Sequence, residues 1–424
     1  MYPKTGFWAL SQEGGSCRLG WKAAEGRFFH SCETFFGKGA VALGNKNLSL
    51  AGKVLRNGLW QLLSWLPKDS RKAVCQSFYG RGYSDSPKAV ADELRKRGWK
   101  VYWTVKGPEE AATLPEGVKP VVVESPGAIY QFCTAGVWVD NCRKWAYTKK
   151  RGNTCYVQTW HGFPLKRIEG DAADALPEDY LRAARLDSQM GDLFLSNSRF
   201  LTDIYRRGFW YEGEVLEQGF PRNDVLSQPH PEMGEKVRGA LGLPEGKRLL
   251  LYAPTFRKDK GLAAYDMDYA RLVKALEKRF GGEWLILAKL HPNIAEKAAQ
   301  MNLDPRFIRN ASDYPDIQEL YLACDAMVTD YSSVMFDYLI TGKPCFLYVN
   351  DLAAYKGDRN FYFDIDKLPF TRAEDNAQLE AGVLEFDPET MARRVEEFCR
   401  EFGIVESGAA AEKTVDYLEE RLKG

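Results

Sequence analysis

The chain has 424 residues, which is too long for one ordinary hydrophobic core and predicts two domains of roughly 150 to 200 residues each. Its 58 basic and 58 acidic side chains cancel, which excludes a global electrostatic attraction to nucleic acid. No apolar run approaches the roughly 18 residues of a membrane span, the start lacks the order of a secretory signal, and the 9 cysteines form no CxxC pair. We expect a cytoplasmic protein with reduced cysteines.

The first part of the chain divides into two segments. Residues 1–48 show no sustained periodicity and form a poorly patterned appendage. Residues 49–70 carry apolar side chains at helical spacing, together with Trp60, Trp65 and several cations, and predict an amphipathic helix. Two interpretations remain open for this helix. It packs onto the domain that follows, or it lies in an anionic membrane interface.

Strand-like runs then alternate with helical runs in two series. The first series, over residues 71–228, includes KVYWTV, AGVWVDNC and CYVQTW. After a polar, proline-containing stretch, the second series over residues 229–400 includes RLLLYAPTF, EWLILAKLH and AMVTDYSS, and residues 401–424 predict a C-terminal helix. This alternation predicts an α/β protein with two Rossmann-like doubly wound domains, each a parallel sheet with helices on both faces.

Five loops that follow these strands are candidate ligand sites, because ligands collect outside the carboxyl ends of strands in open parallel sheets. The loops read WHGFPLK, GFPRND, APTFR, KLHPN and TDYSS. In TDYSS, we expect Asp330, Ser332 and Ser333 to cap a helix over about 333–341 whose free N–H groups can hold a phosphate. A plain helix cap without a ligand is the alternative.

Two histidines and several cations lie in the same loops. His161 and His291 each follow an apolar strand, one in each predicted domain, so one imidazole can accept a proton from an alcohol while the other, charged, balances phosphate. The cations favour a phosphorylated ligand, and they are Lys166, Arg167, Arg222, Arg257, Lys258 and Lys289. A structural histidine and a solvated surface cation are the alternatives at each position.

Motifs of several other enzyme classes are absent from the sequence. Neither GxGxxG nor GxxxxGK[ST] occurs at a strand end, which disfavours a dinucleotide enzyme and a P-loop NTPase. The sequence also lacks a GxSxG elbow and an HExxH motif, so a serine hydrolase and a metal hydrolase are poorly supported.

The order of these motifs resembles the CDP-glycerol glycerophosphotransferase family, whose members build or prime teichoic-acid and related polyol-phosphate polymers. The resemblance runs from about Lys72 to about Phe370 and includes FYGRGYSDSPKAVADEL, YVQTWHGFPLK, SNSRF, GFPRNDVL, YAPTFR, KLHPN, DIQELYLACDAMVTDYSSVMFDYLITGKPCFLY and FYFD. It implies a GT-B-like pair of domains, with the nucleotide held mainly by the second domain.

The resemblance also implies roles for individual residues. His161 matches the family's proposed catalytic base, and His291 matches a second essential histidine near the donor phosphates. The implied donor-binding residues are Thr329, Asp330, Ser332, Ser333, Arg257, Lys289 and Pro292, and the implied acceptor- or phosphate-binding residues are Gly162, Lys166 and Arg222. No metal ion and no cofactor are expected.

Two features depart from the family pattern. Phe163 stands where the usual motif WHGTPLK has threonine, which removes a hydroxyl contact near the acceptor and puts the identity of the acceptor in question. The segment RLDSQMGDLFLSNS lacks the family's tryptophan.

The function implied by the resemblance is transfer of glycerol phosphate from CDP-glycerol to a hydroxyl of a polyol-phosphate or lipid-linked glycan acceptor, with release of CMP, at the inner face of the cell membrane. Three alternatives stay open: a CDP-ribitol enzyme, a GT-B nucleotide-sugar glycosyltransferase or epimerase, and a catalytically silent binding protein tethered at the membrane. Nucleic acid is not an expected partner.

Overall fold

The computed structural model describes residues 46–423, with the exception of 145–147, 256, 258–264, 266, 291–303 and 353–360. His291 and Pro292, two of the candidate site residues, lie outside the described residues. The described strands form two separate sheets, and every strand pairing within each sheet is parallel.

The first sheet has seven strands in the order β3-β2-β1-β4-β5-β6-β7. The strands are β1 Asp69–Gln76, β2 Lys100–Val105, β3 Val118–Val122, β4 Ala135–Asp140, β5 Cys155–Gln158, β6 Leu193–Ser196 and β7 Glu214–Glu217. The helices around it are α1 Lys46–Leu63, α2 Asp85–Lys96, α3 Pro108–Ala111, α4 Pro126–Thr134, α5 Glu178–Met190 and α6 Arg199–Arg207, with 3₁₀ helices at Glu169–Ala175 and Pro221–Ser227. Central strands such as β4 and β5 are buried along their whole length, as expected for a sheet covered on both faces.

The second sheet has six strands in the order β10-β9-β8-β11-β12-β13. The strands are β8 Arg248–Ala253, β9 Trp284–Ala288, β10 Ile308–Asn310, β11 Ala326–Thr329, β12 Cys345–Tyr348 and β13 Thr371–Ala373. Its helices are α7 Glu232–Leu241, α8 Tyr269–Phe280, α9 Ile317–Ala323, α10 Val334–Tyr338, α11 Asn376–Leu384 and α12 Pro388–Phe402, with 3₁₀ helices at Leu339–Thr341 and Ile365–Lys367. A last helix, α13 Ala410–Arg421, follows.

Both sheets change the direction of strand order beside their first strand, between β1 and β4 in one and between β8 and β11 in the other. This topology confirms the prediction of two Rossmann-like doubly wound domains in a GT-B-like fold. In such sheets the crevice at the change of direction is where ligands bind. The loops at these two crevices are those that follow β1 and β4 in the first sheet, and those that follow β8 and β11 in the second.

The C-terminal helix α13 returns to the first domain. Its side chains Val415 and Leu418 are buried in the core that also contains Val90 and Leu94 of α2. Arg97, just after α2, donates hydrogen bonds to Asp416 and Glu419 of the same helix. The chain thus crosses between the two domains a second time, and the predicted domain boundaries stay predictions.

Phe163 lies where the two domains meet and not in the cleft. Its ring is 0% exposed, packs 5.3 Å from Phe200 of the first domain, and packs 4.7 Å from Phe336, 6.1 Å from Phe398 and 5.9 Å from Phe402. These residues form the interdomain aromatic cluster, which consists of Phe163, Phe200, Phe336, Phe363, Phe398 and Phe402. The Phe163 ring is therefore part of the buried contact between the domains, and the effect of this position on the identity of the acceptor stays a prediction.

Candidate active site

His161 is placed by a tight turn after β5. The turn gives Trp160 a φ of 52° and Gly162 a φ of 136°. Residues other than glycine rarely adopt the second of these conformations. Trp160 is buried and stacks on the imidazole with ring centroids 4.1 Å apart. The turn thus presents the His161 ring beyond the carboxyl end of the sheet.

A backbone carbonyl determines the tautomer of His161. Nδ1 lies 2.9 Å from the carbonyl oxygen of Asn141, which follows β4. Because a carbonyl oxygen only accepts, Nδ1 carries the proton and donates it, and the neutral ring keeps the lone pair on Nε2. This is the tautomer that a general base needs for a substrate approaching Nε2.

The surroundings of His161 favour its neutral form. The residue keeps an exposed face, yet protein packs around the rest of the ring, and this desolvation lowers the pKa of His161 below its ordinary value of 6.5. The bond to Asn141 and the negative charge of Asp85 oppose the shift, and the positive charge of Arg222 adds to it. These surroundings consequently favour the form of the ring that can accept a proton.

Gly162 brings the first domain against the second. A β-carbon at this position would lie 2.8 Å from Nη2 of Arg222 and 3.8 Å from Oγ of Ser333. Three of the predicted site residues therefore meet beside His161, and they come from WHGFPLK, GFPRND and TDYSS. Sequence reasoning placed each at a strand end, and the structure places them against one another.

Arg222 holds two carboxylates on opposite sides of the domain contact. Its Nη1 lies 2.9 Å from Oδ2 of Asp85, at the start of α2, and its Nη2 lies 2.7 Å from Oδ2 of Asp337 in α10. All three side chains are buried. The guanidinium thus connects the domains through an ion-pair bridge next to His161.

The residues of TDYSS divide into an inner and an outer pair. The Thr329 hydroxyl is buried and donates to the carbonyl of Ala253 at 2.7 Å. Asp330 accepts from the Thr255 backbone N–H at 2.9 Å and pairs with Nη2 of Arg257 at 2.9 Å. The expectation that Asp330 caps the following helix is wrong, because its carboxylate turns to the neighbouring loop.

Ser332 and Ser333 form the outer pair. Ser333 occupies the N-cap position of α10, but its side chain makes no capping hydrogen bond, so the expected side-chain cap is also absent there. Among the described residues, no hydrogen bond from either serine hydroxyl is present, and both residues are half-buried. The helix itself covers only Val334–Tyr338 before a 3₁₀ turn, which is shorter than the sequence predicts.

Of the remaining candidate cations, Arg257 and Lys289 have their charged groups bound by the protein, Arg167 is exposed, and Lys258 lies outside the described residues. Arg257 forms a second ion pair through Nε with Asp351 at 2.9 Å. Lys289 donates from Nζ to the carbonyl oxygens of Ser312 at 2.7 Å and Tyr314 at 2.5 Å, and burial lowers the pKa of its ammonium group. Lys166 pairs through its backbone with Phe361 of the second domain.

Sequence reasoning missed three residues that organise this site. Asn141 accepts a hydrogen bond from His161, Asp85 forms an ion pair with Arg222, and the backbone N–H of Thr255 donates to Asp330. Their positions directly after β4, shortly after β1 and directly after β8 are the available signal, since these are the loops at the change of strand order in each sheet.

The family described as CDP-Glycerol:Poly(glycerophosphate) glycerophosphotransferase matches residues 59–420. The chain belongs to this family. The glycerophosphotransferase-family chain is 31% identical over 370 residues to the teichoic acid glycerol-phosphate transferase of Staphylococcus aureus, a match that covers 84% of this chain and 94% of that protein. The resemblance stated from the motifs is thereby confirmed.

Two further relatives differ from this chain, one in its length and one in the polyol phosphate that its name gives. It is 31% identical over 396 residues to the teichoic acid poly(glycerol phosphate) polymerase of Staphylococcus epidermidis, covering 89% of this chain but only 54% of that protein, so it spans about half the polymerase's length. It is 26% identical over 284 residues to the teichoic acid ribitol-phosphate primase of Bacillus spizizenii, covering 63% of this chain and 70% of that protein.

A solved structure of a family member has the same fold. A variant of the wall teichoic acid polymerase TagF soaked with CDPG aligns with a TM-score of 0.78 at 30% sequence identity, covering 89% of this chain and 96% of that chain.

Proposed function

We propose that this chain transfers glycerol phosphate from CDP-glycerol to a hydroxyl group of a polyol-phosphate or lipid-linked glycan acceptor and releases CMP. The observation that carries the proposal is His161, whose Nδ1 is fixed by Asn141 and whose neighbour Gly162 lies against Ser333 of the second domain. Membership of the glycerophosphotransferase family supports the donor and the reaction type.

In the proposed reaction, the acceptor oxygen attacks the phosphorus that bears the glycerol group. A bond forms between the acceptor oxygen and this phosphorus, and the bond from phosphorus to the bridging oxygen of CMP breaks, so that CMP leaves with the electron pair. Nε2 of His161 accepts the hydroxyl proton. Positioning and charge neutralisation supply most of the acceleration in phosphoryl transfers of this kind.

The second domain is the proposed donor side. Ser332 and Ser333 offer hydroxyl donors to the phosphate oxygens, and the buried contacts of Thr329, Asp330 and Arg257 hold their loop in place. His291 and Pro292, together with Lys289, are proposed to complete the donor site, with His291 balancing the charge of the phosphates. Gly162 and Lys166 line the acceptor side, where the lack of a β-carbon at Gly162 lets the two domains approach.

Mass spectrometry of the products tests this function. The purified chain is mixed with a soluble acceptor that ends in glycerol phosphate, and with either CDP-glycerol or CDP-ribitol. We expect CMP and an acceptor extended by glycerol phosphate. Transfer from CDP-ribitol alone would identify the chain as a ribitol-phosphate transferase. This alternative is supported by its similarity to a ribitol-phosphate primase. Transfer from neither donor, or transfer only from a uridine-linked sugar, would overturn the proposal.

We also propose that helix α1 attaches the protein to the inner face of the cell membrane, where a lipid-linked acceptor is presented. One face of α1 packs on the first domain through buried Trp60, whose Nε1 donates to the carbonyl of Lys149 at 2.7 Å. The other face leaves Leu55 73%, Leu62 71% and the adjacent Trp65 77% exposed. An exposed apolar stripe of this kind inserts into the boundary between lipid headgroups and acyl chains.

No helix among the described residues has the length and apolar character needed to cross a bilayer. The proposed attachment is therefore peripheral for the part of the chain that the structure describes. Arg151 lies over the Trp65 ring at 4.5 Å and supplies a cation at the same surface, which suits an anionic lipid surface.

A further inference from the structure

Asn141 makes two hydrogen bonds, and the proposed mechanism uses only the one to His161. Its backbone oxygen accepts the proton on Nδ1 of His161 at 2.9 Å, and its side-chain Oδ1 accepts the backbone N–H of Phe78 at 2.9 Å. The residue is 0% exposed. One buried residue therefore contacts both the candidate base and the loop that follows β1.

The loop held by Asn141 lies next to His161. The Phe78 ring is 37% exposed and lies 6.4 Å from the imidazole, between ring centroids. Phe78 and Tyr79 have φ values of 43° and 59°, a left-handed conformation that costs on the order of 1 kcal/mol or more for each residue. Such a loop keeps its shape only where surrounding contacts enforce it, and the bond from Phe78 N–H to Asn141 is one of these contacts.

Asn141 is itself anchored by the residue before it. The Asp140 carboxylate accepts from Nζ of Lys144 at 2.8 Å, from Nε2 of Gln76 at 2.7 Å and from the Cys142 N–H at 2.9 Å. The carbonyl of Asp140 accepts the N–H of Thr159 at 2.9 Å. The ends of β1, β4 and β5 are thereby fixed relative to one another, and the Asn141 carbonyl has a defined direction towards His161.

We infer that the Asn141 side chain is a positioning group for the transfer reaction: by accepting from the Phe78 N–H it fixes the Phe78 loop as the acceptor-side wall and fixes the direction in which the Asn141 carbonyl holds the His161 ring. The inference rests on the proposed function, in which His161 is the base. It assigns Asn141 no contact with the substrate. Its loss is expected to slow the chemical step and to leave donor binding on the second domain intact, since misplacing a reacting group by about 1 Å can cost 100-fold in rate.

Two substitutions at this position separate positioning from folding. Asn141→Leu has a similar volume but cannot accept from Phe78 N–H. Asn141→Asp keeps an acceptor oxygen for the Phe78 N–H and replaces Nδ2, which has no hydrogen-bond partner among the described residues, by a second oxygen. The ionised carboxylate also places a negative charge near His161, which raises the pKa of that imidazole, so recovery is expected only at higher pH. Thr154→Val serves as the matched control, because it removes one buried hydrogen bond, from Thr154 Oγ1 to the carbonyl of Ala135, at the opposite end of β5.

The experiment measures kcat, the KM for CDP-glycerol and the melting temperature of the full chain for each variant. We expect Asn141→Leu to lower kcat at least about tenfold with KM within twofold of the wild type, Asn141→Asp to recover most of kcat above pH 8, and Thr154→Val to lose thermal stability without a change in kcat. A kcat for Asn141→Leu within twofold of the wild type, or an Asn141→Asp variant as slow as the leucine variant at every pH, would overturn the inference.

The outcome also distinguishes this inference from the proposed function. If the wild-type chain transfers no glycerol phosphate, the proposed function fails and the Asn141 variants are not informative about catalysis. If the wild type transfers glycerol phosphate and His161→Asn abolishes transfer while Asn141→Leu does not change it, the function stands and the role of Asn141 is refuted.

Discussion

His161 owes its chemical state to contacts that the backbone supplies. The Asn141 carbonyl places the proton on Nδ1, Trp160 stacks on one face of the ring, and the packed protein lowers the pKa of the imidazole. A base has to be unprotonated before the acceptor arrives, and each of these contacts favours that state or fixes the ring. No carboxylate partner is needed for this tautomer.

Gly162 is the position next to His161 where a small change is expected to have a large effect. In Gly162→Ala, the new β-carbon would meet Nη2 of Arg222 at 2.8 Å, and the residue would keep a φ of 136°. We expect a loss of stability of about 1 to 3 kcal/mol and a lower kcat, because Arg222 and the His161 turn must move apart.

Chemical denaturation and steady-state kinetics of Gly162→Ala check this expectation. Gly239→Ala is the matched control, since Gly239 lies in helix α7, where a β-carbon would have no atom within 4 Å, and it is expected to tolerate alanine without loss. A Gly162→Ala protein with wild-type stability and turnover would show that the close approach seen here is not required.

The sequence predicts which residues lie near the site better than it predicts what they do there. Gly162, Arg222 and Ser333 are found together because strand ends in parallel sheets meet at one edge. Arg257 and Asp330, by contrast, are bound to each other, and Arg257 is also bound to Asp351. Partners far apart in the chain have no local sequence signal, so these ion pairs are not predictable from the loop motifs.

At the scale of the element, the loop after β5 has two faces with different tasks. His161 faces the cleft, and Phe163, two positions later, is buried in the interdomain aromatic cluster. The backbone of Leu165 accepts the N–H of Tyr362 at 3.0 Å, and Lys166 pairs with Phe361, so the same loop is hydrogen-bonded to the second domain. The loop that carries His161 is therefore also part of the connection between domains.

Phe163→Thr, which restores the threonine of the family motif, is expected to destabilise this chain. Replacing a buried phenylalanine by a small residue costs about 3 to 5 kcal/mol, and the ring here is 0% exposed. We expect a lower free energy of unfolding and an unchanged preference between glycerol-phosphate and ribitol-phosphate acceptors. Denaturant titration and product analysis measure these two quantities.

Phe163→Leu is the control for the loss of aromatic volume, and it is expected to lose less stability than the threonine variant. A Phe163→Thr protein that keeps its stability would show that the buried ring does not stabilise the domain contact. A changed acceptor preference would show that position 163 contributes to recognition of the acceptor.

Helix α1 gives a prediction at the same scale. Substituting Leu55, Leu62 and Trp65 by serine removes the exposed apolar stripe and leaves the packed face with Trp60 unchanged. We expect binding to phosphatidylglycerol vesicles to be lost and CMP release with a soluble acceptor to stay within twofold of the wild type, because burial of apolar area drives interfacial binding.

Co-sedimentation with vesicles measures this binding, with phosphatidylcholine vesicles as the test of charge dependence. Val122→Ser is the matched control, since Val122 is an exposed apolar side chain outside α1, 46% exposed. Undiminished binding of the triple variant would refute membrane attachment through α1.

At the scale of the whole molecule, a buried polar network connects the two domains beside the aromatic cluster. Arg222 bridges Asp85 and Asp337, and the Nδ2 of Asn223 donates to Asp337 at 3.0 Å and to Glu406 at 3.1 Å. Glu406 lies between α12 and α13, where the chain returns to the first domain. Desolvation raises the pKa of Glu406 from 4.5 to about 7.

The Glu406 carboxyl makes the stability of the molecule depend on pH in a defined direction. Between pH 4.5 and about 7 the folded chain holds a proton that the unfolded chain releases, so this group's contribution to stability falls as pH rises through that interval. Glu406→Gln cannot lose a proton. The difference in melting temperature, variant minus wild type, is therefore expected to become more positive between pH 5 and pH 8.

Thermal melts of both proteins across this pH range measure the difference. A difference that stays constant with pH would mean that Glu406 ionises in the folded protein as it does in the unfolded one.

The architecture of the whole molecule is largely predictable from sequence, because alternating strand and helix patterns specify parallel sheets. The return of α13 to the first domain is harder to predict from the sequence. Val415 and Leu418 complete a core formed more than 300 positions earlier in the chain, around Val90 and Leu94. An amphipathic pattern predicts that one face of a helix is buried, but it does not indicate which domain buries that face.

The pH dependence of CMP release by the wild type and by His161→Asn tests the central claim most directly, with CDP-glycerol as donor and a soluble acceptor. For the wild type we predict that kcat/KM falls on the acid side with an apparent pKa below the usual histidine value of about 6.5. For His161→Asn we predict a rate about 100- to 10,000-fold lower with no acid limb from this group. A variant that releases CMP at a similar rate, with the same acid limb, would contradict His161 as the base.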